Sequence, residues 1–294
     1  MPLTVHVAPE PDPEVEAAVR AAGGRTGPLD EAEGLVWVDS DPDGFPADLP
    51  EGVRWVQLPS AGVERWLDRI DRDREWSSAA PAFGRPVAEH ALALMLAGTR
   101  RLHEFARTAT WTRPPIAELA GATVALIGTG SIGRALIALL EPFGVEVLAV
   151  TRSGRDGTIP IERVDEVWPQ AQFVVIAAPA TPETRHLVGA PQLAAMRENA
   201  WLVNVSRGSL VDTDALVAAL EQGSIAGAAL DVTDPEPLPD GHPLWSQPRA
   251  LITPHAANPS ATMDRDLARR VQENVRRFAA GEDLLAPVKT DRGY

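Results

Sequence analysis

The chain has 294 residues, no cysteine, and a formal net charge of −14 from 27 Lys and Arg against 41 Asp and Glu. Without thiols, a disulfide-stapled secreted domain and a Cys-ligated zinc or iron–sulfur centre are excluded. An acidic body also argues against a nucleic-acid partner, because phosphate is repelled wherever basic groups are not gathered locally, and the length suggests two domains.

In chain order, the first residues, Met1 to His6, carry neither a basic nor an apolar leader region, so the expectation is a cytoplasmic protein. Residues 3–7 read as a strand, and 14–22 as a helix capped by Asp12 and stopped by Gly23 and Gly24. Residues 35–38 and 53–58 read as further strands, the second running into Pro59, Ser60, Ala61 and Gly62. This alternation implies a small parallel sheet covered by helices. After a loop at 81–85, a long helix is expected from Pro86 to about Thr108. It is apolar nearly all round from Ala88 to Ala97, the pattern of a helix buried between domains or subunits. Its apolar run, 87–97, is broken by Glu89 and His90 and falls short of the roughly 20 apolar residues of a membrane span, so no membrane partner is expected.

A proline-bearing connector at 111–119 leads to a second, sharper β/α series. Its strands are expected at 123–127, 145–150, 173–177, 201–205, 226–231 and 250–253. Most are near-continuous apolar runs, as required when both sheet faces are covered. Helices at 132–140, 191–196 and 213–221 separate most of them. A charged amphipathic helix follows at 261–280, and the tail 281–294 is short and polar, with a final strand starting at Val288.

The segment Gly128-Thr129-Gly130-Ser131-Ile132-Gly133 fits G-x-G-x-x-G, with a strand feeding into it and a helix leaving from it. The first glycine permits the turn, the second lets the backbone approach a pyrophosphate, and the third lets helix and strand pack closely. The helix start offers free N–H groups and a positive dipole end to phosphate. We read it as a dinucleotide site. An NAD site usually carries an acid at the tip of the next strand; here that strand runs into Thr151-Arg152-Ser153-Gly154-Arg155. A carboxylate would repel a 2′-phosphate, whereas a guanidinium binds one bidentately. The expectation is therefore NADP(H) in preference to NAD(H), with Arg152 as main ligand, Arg155 as a second, and Thr151 and Ser153 as hydroxyl donors. Ala178, Pro179, Val205, Ser206 and Asp231, at the ends of later strands, complete the cofactor assignment.

Three strand-end loops carry unusual polar residues: Asn204-Val205-Ser206-Arg207-Gly208, Asp231-Val232-Thr233-Asp234-Pro235-Glu236-Pro237, and Thr253-Pro254-His255-Ala256-Ala257. In an open α/β sheet the ligand crevice lies outside the carboxyl ends of the strands, which directs Arg207, Glu236 and His255 toward one place. Arginine holds a carboxylate and polarises a carbonyl. Histidine gives and takes an alcohol proton near neutral pH, and a neighbouring carboxylate orients it and favours its protonated form. Each residue has a bland reading when taken singly; three such loops together do not. His90, within the apolar helix, reads as packed, and the other four histidines as structural or exposed. No metal-ligand spacing and no G-x-S-x-G elbow are present.

With these motifs in this order, the sequence resembles the D-isomer-specific 2-hydroxyacid dehydrogenases, and within them looks most like the glyoxylate/hydroxypyruvate reductase and phosphoglycerate dehydrogenase-like members. The resemblance is clear over 87–280 and looser before that. It implies a Rossmann-type doubly wound parallel sheet (87–265) inserted into a smaller flavodoxin-like α/β substrate domain (1–86 plus 266–294), with the active site between them. It also implies hydride transfer between a nicotinamide cofactor and a small 2-oxo or 2-hydroxy acid. On that basis Arg207, Glu236 and His255 take the roles of substrate arginine, histidine partner and acid/base. Ser60, Ala61, Gly62 and Val63 form the loop whose backbone N–H groups hold the substrate carboxylate, and the molecule is a homodimer. A non-catalytic dinucleotide sensor, or a dehydrogenase of formate or phosphite, stays open as an alternative.

Overall fold

In the computed structural model, which describes residues 1–80 and 82–289, the two β/α series form two separate parallel sheets. Pro81 in the expected 81–85 loop and 290–294 in the expected tail and substrate domain lie outside the described residues. The contacts divide the chain into two units: Met1–Phe83 together with the chain from Pro259, and Gly84–Asn258.

The first unit opens with β1 (Thr4–Ala8) and α1 (Pro13–Ala21), where Asp12 caps the helix by accepting from the N–H groups of Glu14 and Val15, both at 2.9 Å. Then come β2 (Arg25–Thr26), β3 (Gly34–Trp37), β4 (Trp55–Gln57) and β5 (Glu75–Ser77). Their order in the sheet is β2-β1-β3-β4-β5, all parallel, which is the flavodoxin arrangement. One side of its core is aromatic. Phe45 packs edge-on against Trp37 and Trp66, with ring centroids 5.0 and 5.5 Å apart. Such pairs add about 0.5–1.5 kcal/mol each beyond burial.

The second unit runs α2 (Gly84–Thr99), α3 (Leu102–Phe105), β6 (Thr123–Ile127), α4 (Ser131–Leu140), β7 (Glu146–Thr151), β8 (Ile159–Pro160), β9 (Phe173–Ile176), α5 (Ala190–Ala195), β10 (Trp201–Asn204), α6 (Thr213–Gln222), β11 (Gly227–Leu230), α7 (Pro243–Ser246) and β12 (Ala250–Ile252). The order is β12-β11-β10-β9-β6-β7-β8, again all parallel. The chain leaves β6 toward β7 and β8 on one side and resumes at β9 on the other, so the topological switch point falls between β6 and β9, beside the glycine-rich turn. Strands β9, β10 and β11 are buried along their whole length, which is why they read as unbroken apolar runs. The chain then returns to the first unit in α8 (Ser260–Ala280). No helix of the described residues is long and apolar enough to cross a membrane.

Two expectations are corrected. The long helix stops at Thr99, not near Thr108. The Thr99 hydroxyl bonds back to the carbonyls of Met95 and Leu96, and Arg101 takes a left-handed conformation (φ 52°) before the short α3 begins. An arginine in that conformation leaves no Gly or Pro mark to read. The apolar face of α2 packs against α4, β10 and β11 within its own unit, with Gly98 set directly on the Trp201 ring. Val288 starts no strand: its N–H bonds to Trp76 O, and Pro287 makes an isolated antiparallel bridge to Ser77.

Candidate active site

The turn after β6 is built by steric exclusion. Gly128 has φ 102°, and a Cβ there would lie 2.6 Å from the Ala177 carbonyl oxygen; one on Gly133 would lie 2.2 Å from the carbonyl oxygen of Gly128. Gly130 differs: nothing stands within 4 Å of a Cβ placed on it. Gly130 also N-caps α4 with no side-chain hydrogen bond, leaving the first N–H groups around Ser131 and Ile132 for an external acceptor. Crowding at the first and third glycines with open space over the second fits a pyrophosphate.

At the tip of β7, the Thr151 hydroxyl accepts from the Gly154 N–H at 3.1 Å and pairs with the Thr158 hydroxyl at 2.7 Å, so it builds the turn. Arg152 and Ser153 are exposed. The Glu183 carboxylate, held below its ordinary pKa chiefly by a hydrogen bond from Thr181, also feels the charge of Arg152. After β9, the Ala178 carbonyl accepts from the Ser206 hydroxyl, tying the Ala178-Pro179 and Val205-Ser206 loops together.

The three polar loops meet through backbone contacts. Asn204 donates to the Arg207 carbonyl at 2.8 Å and accepts from the Ser206 N–H at 3.1 Å, shaping the turn that presents Arg207. Gly208 lies so close to the next loop that a Cβ would stand 1.9 Å from the Thr233 carbonyl oxygen. Three residues on, Glu236 Oε1 accepts from His255 Nδ1 at 2.7 Å, with both side chains about half exposed. His255 itself sits at φ 51°, held by its N–H bond to the Asp231 carbonyl at 2.8 Å.

Asp231, assigned to the cofactor from the sequence, is 2% exposed, and its carboxylate is engaged by the protein. It accepts from the Thr253 hydroxyl at 2.5 Å and from the N–H groups of Ala256 and Ala257 at 2.9 and 3.1 Å, with His90 Nε2 at 3.3 Å. His90 also reaches the Thr253 hydroxyl at 3.0 Å. Asp231 thus fastens both sides of the His255 turn to α2. Sequence reasoning placed neither His90 nor Thr253 in the site; for His90 the available signal was a polar side chain inside an apolar helical stripe.

The electrostatics agree with the geometry. The hydrogen bond to Glu236 raises the His255 pKa, against burial and the charge of Arg207. Glu236 is lowered chiefly by the same bond, with Arg207 adding to the effect. Burial works against the Asp231 charge, yet hydrogen bonds from His90, Thr253 and Ala256 hold it below the ordinary carboxylate value. Arg207, which also donates to the Ser206 carbonyl at 2.8 Å, acts on both members of the His–Glu pair.

In the first unit, the 60–63 loop follows β4. The Ser60 hydroxyl donates to the Gly62 carbonyl at 2.6 Å. Among the described residues no acceptor takes the N–H groups of Ala61, Gly62 or Val63. Successive free N–H groups can hold an anion where the backbone gathers them.

Comparison with known proteins decides the family. Residues 92–257, more than half of the chain, match the D-isomer specific 2-hydroxyacid dehydrogenase, NAD binding domain. The chain belongs to the D-isomer specific 2-hydroxyacid dehydrogenase family. It is thus a member of an oxidoreductase family with a nicotinamide-dinucleotide domain. It is 35% identical over 209 residues to a glycerate dehydrogenase of Methylorubrum extorquens, a match that takes in 67% of this chain and 66% of that protein. A D-isomer specific 2-hydroxyacid dehydrogenase of Xanthobacter autotrophicus, solved with NADPH and MES, is 30% identical, has a TM-score of 0.87, and is matched over 100% of both chains. An NADPH-dependent glyoxylate/hydroxypyruvate reductase of Sinorhizobium meliloti, solved with NADP and sulfate, is 26% identical with a TM-score of 0.84, over 99% of this chain and 100% of that one. The dehydrogenase fold expected from the motifs is therefore the fold of this chain.

Proposed function

We propose that this dehydrogenase reduces a small 2-oxo acid of the glyoxylate/hydroxypyruvate type, with NADP(H) preferred over NAD(H). The observation that carries the reading is the 2.7 Å His255–Glu236 pair with Arg207 acting on both members. Glu236 fixes the ring by accepting from Nδ1, which leaves Nε2 to give a proton to the substrate oxygen on reduction and to take it back on oxidation. Arg207 holds the substrate carboxylate and polarises the 2-carbonyl. Ser60, Ala61, Gly62 and Val63 are read as the substrate loop, because their N–H groups suit a carboxylate.

A dinucleotide held by Gly128, Gly130, Ser131, Ile132 and Gly133 supplies the hydride when bound. Arg152, with Ser153, is read as the 2′-phosphate ligand because it is exposed at the tip of β7, where an NAD site usually carries an acid. The support from relatives is that two similar structures carry NADPH or NADP and that one is a glyoxylate/hydroxypyruvate reductase. A homodimer belongs to the same proposal and rests on the family resemblance.

The test is NADPH and NADH oxidation in the presence of glyoxylate, hydroxypyruvate, pyruvate and bulkier 2-oxo acids. Turnover of the small acids with a higher kcat/KM for NADPH is expected. No turnover with any 2-oxo acid defeats the substrate reading, and equal use of both cofactors, or NADH preferred, defeats the cofactor reading.

A further inference from the structure

Arg270, in α8 of the first unit, is only 8% exposed, yet its Nε has no hydrogen-bond partner and no carboxylate lies within ion-pair distance of it among the described residues. An arginine cannot escape this cost by losing its proton, so burial without an acceptor is expensive. The polar groups one turn further along the same face are fully engaged. Asn274 donates to Gln57 Oε1 at 2.8 Å and accepts from the Leu285 N–H at 2.8 Å, while the Ser77 hydroxyl donates to the same Gln57 oxygen at 2.9 Å. The unpartnered Arg270 Nε therefore stands out against the engaged groups beside it.

The register of α8 on β4 locates it. The two run in opposite directions: the Phe278 ring lies 5.8 Å from Trp55, and Asn274 bonds to Gln57. Four helical residues advance about 6 Å and two strand residues about 6.6 Å. The pairing of 278 with 55 and of 274 with 57 thus continues to 270 with 59, next to Ser60. Helical side chains lean toward the helix N-terminus, which carries Arg270 further past the end of β4. That is where the loop with the unused N–H groups of Ala61, Gly62 and Val63 begins.

We propose that Arg270 and the 60–63 backbone form one anion site in the first unit, with the guanidinium binding the carboxylate of the 2-oxo acid. The inference rests on the reading of that loop as the substrate loop and adds to it a side-chain charge. A carboxylate satisfies a guanidinium fork bidentately and takes backbone N–H groups on its remaining lone pairs. Arg270 is then a residue of substrate affinity and selectivity, favouring carboxylates over neutral carbonyl compounds.

The test uses the full chain and oxalate as the probe, with Arg270→Met and Arg270→Lys. Oxalate is expected to raise the Tm of the wild type and of the Lys variant, and not that of the Met variant. KM for the 2-oxo acid is expected to rise roughly 10- to 100-fold in the Met variant with kcat within a few-fold, and to recover partly with Lys. Without oxalate, the Met variant should be as stable as the wild type or more so, because a buried N–H without an acceptor has been removed. Three results overturn the proposal: an oxalate shift that survives Arg270→Met, a wild type that does not respond to oxalate, or a Met variant that is destabilised or unfolded in anion-free buffer. If an Arg270-dependent oxalate shift is found but no 2-oxo acid is turned over, the anion site stands and the dehydrogenase reading falls.

Discussion

Around His255, the charged groups are paired with one another; in the first unit, the Arg270 Nε and three backbone N–H groups after β4 have no protein partner among the described residues. The first arrangement suits a group that must keep one orientation and one tautomer while a proton comes and goes. The second suits a group whose partner arrives with the ligand. Buried polar groups are costly when half-satisfied, so the contrast fits the proposal that His255 and Glu236 handle the proton while the first unit awaits an anion.

Substitutions break this contrast in a definite order. His255→Gln removes the proposed proton donor while leaving the proposed cofactor residues in place. It should lower kcat roughly a hundred- to ten-thousand-fold in steady-state NADPH oxidation, with NADPH affinity by fluorescence titration unchanged. Arg152→Ala tests whether a basic group is reserved for the 2′-phosphate; KM for NADPH should rise roughly 10- to 100-fold with the NADH constants unmoved. The fingerprint glycines separate a structural vacancy from a ligand vacancy. Gly133→Ala meets backbone at 2.2 Å and should lower stability by about 1–3 kcal/mol, read as a drop of several degrees in Tm, whereas Gly130→Ala meets nothing and should leave Tm intact while weakening dinucleotide binding. Smallest is Asp12→Ala, which removes the α1 cap at a cost of about 1 kcal/mol in thermal or urea unfolding and should leave both kinetic constants unchanged.

The candidate site residues of the second unit were legible in the sequence because each lies on a loop that follows an apolar strand. Arg207, Glu236 and His255 lie on loops after strands that periodicity locates, Gly128 and Gly133 in a turn that has no room for a Cβ, and Gly130 between them where the backbone is left open. What escaped depends on contacts between distant segments. Asp231 is held by the N–H groups of Ala256 and Ala257, more than twenty residues on, and by His90 from α2. No local pattern announces those bonds. Arg270 reads as one more charge on a charged amphipathic helix, and only the packing of α8 in the fold buries it. The two-residue strands β2 and β8 are too short to carry a period, and the end of α2 turns on a left-handed arginine.

The central claim is that His255, supported by Glu236, holds the proton given to the substrate oxygen. It is tested most directly by the pH dependence of kcat/KM for NADPH-driven reduction in the wild type and in Glu236→Gln. Reduction needs protonated His255, and Glu236 raises the His255 pKa, so activity is present below that pKa and lost as pH rises through it. Removing the carboxylate lowers the pKa. The account predicts that the alkaline limb of the Glu236→Gln profile moves to lower pH; an unmoved limb, or one displaced to higher pH, would contradict it.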